Sequence, residues 1–89
     1  MTAASDQASL ISEIAAVVRQ AARIPPAVPI TASSRLVDDL AIDSLGVISV
    51  ILLIQDHFDV AIDDEAVPNL RRVADLAAYL TARRELTRS

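Results

Sequence analysis

Asp43-Ser44-Leu45-Gly46-Val47-Ile48-Ser49-Val50-Ile51-Leu52-Leu53-Ile54-Gln55-Asp56-His57-Phe58 is the stretch that decides the fold. At about 100° per residue, Val47, Val50, Ile51, Ile54 and Phe58 fall on one face of a helix at steps of three and four. Leu45, Ile48 and Leu52 make a second apolar stripe on nearly the opposite side. A helix that is apolar all round is expected to be buried all round. In an 89-residue chain that offers two other long helices, such burial is hard to arrange. The second stripe is therefore expected to stay partly exposed and to meet a partner, since exposed apolar patches mark contact surfaces. The alternative is that the connection over residues 22–35 folds across it. Ser44 lies between the stripes at the head of this helix, and its residue type leaves two roles open: a helix cap, or a point of covalent attachment.

Outward from this segment, the first helix shows in Leu10, Ile11, Ile14, Val17, Val18 and Ala21, with Ser5 or Asp6 as its cap. It is expected to stop near Arg23, because Ile24 precedes Pro25 and is pushed from the α region. The connection that follows carries Pro25, Pro26 and Pro29, and Ile30, Leu36, Val37 and Leu40 are expected to pin it to the helices. Thr31 with Ser33 or Ser34 can open a short helical turn over Leu36 to Leu40. Asp59 to Asp64 reads as a turn, then a short helical piece over Asp64 to Val67 that Pro68 ends. The last helix is expected over Val73 to Arg84, with Val73, Leu76, Ala77 and Leu80 inward. Asp75 lies in its first turn, and Arg83 and Arg84 in its last, as the helix dipole favours. The whole of 1–89 is expected to be one domain, with residues 1–5 and 85–89 frayed.

Composition narrows the function. A chain this short buries roughly 60–65% of its unfolded surface, enough for one thin core. It has no cysteine to staple that core, to act as a nucleophile or to bind metal. The formal charge is −4, with 8 arginines and no lysine, and no basic stripe of the kind nucleic-acid binding requires. No secretory signal is visible in residues 1–7, and no apolar run is longer than that from Val50 to Ile54, far short of the roughly 20 residues of a membrane span. A cytoplasmic setting is expected.

Catalysis finds no support. The single histidine, His57, lies thirteen residues beyond Ser44 on the same helix, about 20 Å away, whereas proton transfer needs roughly 3 Å. The acidic turns at Asp38, Asp39 and Asp43 and at Asp59, Asp63, Asp64 and Glu65 lack the glycine of a calcium loop and read as solvated surface. Gly46 is the sole glycine, so no phosphate-binding glycine loop exists. A non-catalytic carrier or interaction module is what remains, with no metal site expected.

Asp43-Ser44-Leu45 at the head of the second helix resembles the acyl carrier protein family, and the likeness runs from Leu10 to about Leu80. Ile30-Thr31 with Leu36-Val37-Asp38-Asp39-Leu40, Phe58-Asp59-Val60-Ala61-Ile62 with Asp64-Glu65, and Val73-Ala74-Asp75-Leu76 with Tyr79-Leu80 are similar to that family's segments in the same order. The resemblance implies an all-α four-helix bundle, three longer helices and one short, working as a monomer. It implies 4′-phosphopantetheine joined through a phosphodiester to Ser44, flanked by Asp43 and Leu45. A phosphopantetheinyl transferase with coenzyme A would install the arm, whose thiol carries acyl groups as thioesters between acyl-transfer or synthase enzymes of fatty acid, polyketide or lipid-modifying pathways. Under that resemblance Leu45, Ile48, Leu52 and Asp56 face partners, and Val47, Val50, Ile51 and Ile54 line an acyl pocket.

Two departures stand out. Gly46, Ser49 and Gln55 occupy positions where the family carries acidic residues, so partners are expected to read apolar contacts more than charge. Leu40-Ala41-Ile42-Asp43 replaces the usual Leu-Gly-Ala-Asp. A peptidyl carrier of nonribosomal synthesis is the nearest alternative, although its Gly-Gly pair is missing and the start at Met1 favours a discrete protein. A helical adaptor, with Asp43 and Ser44 only as caps, is the alternative of another class.

Overall fold

The computed structural model describes the backbone of residues 3–88 and the side chains of residues 8–83. Among these residues three α-helices make the fold: α1 over Ala3–Ala22, α2 over Ser44–Phe58 and α3 over Val73–Arg88. Among the described residues there is no strand, only a single antiparallel bridge between Arg35 and Arg72. α1 packs on both α2 and α3. Its inward residues Leu10, Ile14, Val17 and Val18 join Val50, Ile51 and Ile54 of α2 and Val73, Leu76, Ala77 and Leu80 of α3 in one core.

The short fourth element departs from the expected one. Instead of a helical piece over Asp64 to Val67 ended by Pro68, a three-residue 3-10 turn spans Val67–Asn69 with Pro68 inside its start. The first positions of a helix need no N–H partner, so proline opens such a turn as readily as it closes one. Helix bounds shift as well. α1 already runs at Ala3, which puts Ser5 and Asp6 within the helix rather than at its cap. α3 continues to Arg88, into the segment expected to fray.

The long connection is held by several side chains, with Ile24 and Ile42 buried near its ends and Val28 packed partly on the core. Leu36 is buried, and Ile30 and Leu40 pack partly on the core. Val37 does not pin the loop: it is 58% exposed. Backbone bonds do the rest. Leu36 N–H donates to Arg71 O at 2.8 Å and Val73 N–H to Ser34 O at 3.1 Å, tying the loop to the start of α3.

Among the described residues three, Arg23, Ala41 and Asp59, take left-handed backbone, and the sole glycine is not one of them. Arg23 and Asp59 follow helix ends, where this conformation satisfies terminal carbonyls. Ala41, at φ 55°, turns the loop toward Ser44. Its Cβ crowds the backbone there, at a cost of roughly 1–2 kcal/mol, part of which glycine would return as unfolded-state entropy. Ala41→Gly is thus expected to raise stability by about 0.5–1 kcal/mol, read as a higher urea midpoint at unchanged slope.

Candidate functional site at the head of the second helix

The start of α2 is fixed by Asp43, not by Ser44. Asp43 is the N-cap, with extended backbone, and its Oδ1 accepts the Gly46 N–H at 2.7 Å. Ser44 is therefore the first helical residue. Its side chain is exposed, and its hydroxyl makes no hydrogen bond among the described residues. The first N–H groups of a helix have no intrahelical partner and carry the positive end of its dipole. An exposed, uncommitted hydroxyl thus sits where an attached anion is favoured.

Ser44 edges an open groove of about 810 Å³, within the roughly 300–1,000 Å³ of small-molecule sites. Val47 and Ile48 of α2 form one wall, and the other is built from Leu36, Leu70, Arg71 and Arg72. The Arg35–Arg72 bridge holds these distant segments side by side. Three arginines and two aspartates, Asp38 and Asp75, line the space. Arg35 is engaged with Asp38 at 3.6 Å and Asp39 at 3.3 Å. The backbone N–H of Arg35 also donates to Asp39 Oδ2, and this bond, helped by the guanidinium, holds the Asp39 carboxyl below its ordinary pKa.

The two faces of α2 separate cleanly. Val50 and Ile54 are fully buried, Ile51 nearly so, and Val47 and Phe58 pack partly against the core. Leu45, Ile48 and Leu52 are 75%, 53% and 58% exposed, so the 22–35 connection does not cover them. Asp56 is exposed as well. Of the four residues assigned to an acyl pocket, Val47 lines the groove, whereas Val50, Ile51 and Ile54 belong to the packed core. His57 is exposed near the far end of α2 and stacks edge-on with Phe58 at 4.7 Å, away from Ser44. Among the described residues no group of three or more His, Asp or Glu side chains could hold a metal ion, and no helix is long and apolar enough to cross a membrane.

Sequence reasoning missed two features. Val37 shares the groove with Ile48 and adds to the exposed apolar surface. Arg71 and Arg72 belong to the groove, although nothing in their local spacing announces it; the signal is the bridge to Arg35.

Known proteins resemble this chain over most of its length. The family described as the phosphopantetheine attachment site matches residues 12–80. An acyl carrier protein of Rhodococcus erythropolis is 34% identical over 77 residues, covering 86% of this chain and 84% of its own. One from Kineococcus radiotolerans is 36% identical over 78 residues, covering 88% and 94%. The meromycolate extension acyl carrier protein of Mycolicibacterium aurum is 34% identical over 77 residues, covering 86% and 78%.

Proposed function

Since the chain belongs to the acyl carrier protein family, we propose that Ser44 Oγ is the oxygen that bears its 4′-phosphopantetheine arm, installed from coenzyme A by a phosphopantetheinyl transferase. The protein is a carrier rather than a catalyst. When bound, the arm supplies a thiol that holds an acyl group as a thioester, chemistry that this cysteine-free chain lacks.

The residues present fit the arm. The observation that carries the proposal is the exposed Ser44 hydroxyl, left without a partner because Asp43 takes the cap. Asp43 keeps the first turn of α2 wound, so Ser44 is presented from a rigid element. The unpaired N–H groups of that turn favour a phosphodiester there, and the adjoining groove offers the arm an apolar wall in Val47 and Ile48.

Acyl-handling enzymes are the partners, and they meet Leu45, Ile48 and Leu52, with Val37 beside them and Asp56 further along α2. No acidic residue lies in the first turn of α2, so apolar contact outweighs electrostatic steering here. We place the carrier in the cytoplasm as a monomer, one domain over 1–89.

Incubation with a phosphopantetheinyl transferase and coenzyme A tests the attachment. Intact-mass measurement is expected to show one added arm on the wild type and none on Ser44→Ala. A wild type left unmodified by several transferases would overturn the proposal.

A further inference from the structure

The groove beside Ser44 gathers arginines on one surface of an acidic protein. The chain as a whole is at −4, and three of its 8 arginines converge on this one surface. Arg35 is accounted for by Asp38 and Asp39. Arg71 and Arg72 are not. Their side chains are exposed, and neither guanidinium makes an ion pair or hydrogen bond with a carboxylate among the described residues, although the charge of Arg72 helps hold the Asp39 carboxyl down; Arg71 Nε reaches only Pro68 O at 3.4 Å. Asp75, the acid beside them, turns its Oδ2 to the backbone N–H groups of both, at 3.1 and 2.9 Å, and so serves the start of α3.

The groove therefore combines apolar lining, through Val47, Ile48, Leu36 and Leu70, with the two exposed cations Arg71 and Arg72. A neutral acyl chain would gain from the apolar lining only. A ligand that is apolar along its length and carries one negative group would use both.

We propose that Arg71 and Arg72 form an anion seat for the arm, holding a negatively charged group that the arm brings into the groove. The inference rests on Ser44 being the attachment point. Two parts of a loaded arm offer that chemistry: the phosphodiester itself, or a carboxylate at the free end of a dicarboxylic acyl cargo. In the second case the carrier favours anionic cargo over neutral cargo of equal length.

The experiment compares apo, holo, butyryl-loaded and succinyl-loaded protein, prepared as the wild type and as Arg71→Gln, Arg72→Gln and the double variant. Arginine Nε–H resonances and the amides of Leu36, Val47 and Leu70 are followed by NMR, with intact mass as the loading control. If the phosphodiester is the anion, these signals move between apo and holo and no further with succinate. If the cargo carboxylate is the anion, succinyl loading moves them and butyryl loading does not. Either way, each arginine removed is expected to lower the seated fraction about two- to fivefold, as for an exposed ion pair, and the double variant to erase the movement. Both substitutions are at exposed sites, so the melting temperature is expected to hold. Signals that stay as in the apo protein in every loaded form, or that move equally in the double variant, would overturn the seat alone. An absent mass increase would instead sink the attachment at Ser44, and the seat with it.

Discussion

Ile54→Glu is expected to abolish cooperative folding, whereas Leu52→Glu, two residues earlier on the same helix, leaves a folded protein that partners engage poorly. Ile54 is fully buried, and Leu52 is 58% exposed. A carboxylate at position 54 would enter a core of aliphatic side chains from all three helices, with no charge to pair it. Such a change costs more than about 4 kcal/mol. A domain of this size holds roughly 0.05–0.15 kcal/mol per residue, so most of its stability is consumed. At position 52 the side chain stays in water, and glutamate is as good a helix former as most residues. The loss there is expected to stay near 0.5 kcal/mol, a shift in melting temperature of about 4 °C or less. The rate of acyl transfer to a partner enzyme falls about tenfold or more, because a charge replaces an apolar contact at the surface α2 presents. Circular dichroism melts and transfer kinetics on the two variants decide the matter. If Leu52→Glu melts as badly as Ile54→Glu, the exposed stripe is core and not an interface.

Gly46→Ala is the second large effect, and its sign runs against helix propensity. Alanine in place of glycine within a helix ordinarily gains about 1 kcal/mol. Here a Cβ on Gly46 would lie 2.5 Å from Ile42 Cγ2 and 3.1 Å from the capping Asp43 Oδ1. Ile42 cannot yield easily: it is 4% exposed, branched at Cβ, and its N–H is bonded to Leu36 O at 3.0 Å. The overlap is expected to outweigh the propensity and destabilise by about 1–3 kcal/mol. Ile42→Ala alone leaves a cavity and costs about 2–5 kcal/mol. Together the two changes remove the overlap and restore the propensity, so their sum overstates the double variant by about 1–3 kcal/mol. Urea unfolding of the four proteins measures this coupling. Simple additivity would show that Gly46 and Ile42 do not answer one another. The departure from Leu-Gly-Ala-Asp then has a physical account: a larger residue at 42 is accommodated by the absence of one at 46.

How much of this was legible in the sequence differs from element to element. The opposed stripes of α2 can be read from periodicity alone, and the exposure of Leu45, Ile48 and Leu52 follows once only two helices are available to cover it. Ser44 was legible as a helix start, but not the division of labour by which Asp43 caps and Ser44 stays free. That depends on backbone angles within one turn. The short element was misplaced because Pro68 both closes and opens helical turns, and only the surrounding chain selects between them. Least legible was the groove. Arg35 and Arg72 are brought together by backbone bonds between segments far apart in the chain, and no local period encodes such a meeting.

Tyr79 has a practical consequence for every measurement above. Its hydroxyl accepts the Asp63 N–H at 3.1 Å and bonds from Arg83, and Arg83 in turn pairs with Asp63. It is the only tyrosine, and the chain has no tryptophan. Ultraviolet emission from this protein therefore reports on one place, the docking of the 59–66 segment onto α3. Loosening confined to the first turn of α2 would leave that emission dark to the event. A tryptophan introduced near Ser44, or backbone amide exchange, supplies the second vantage point.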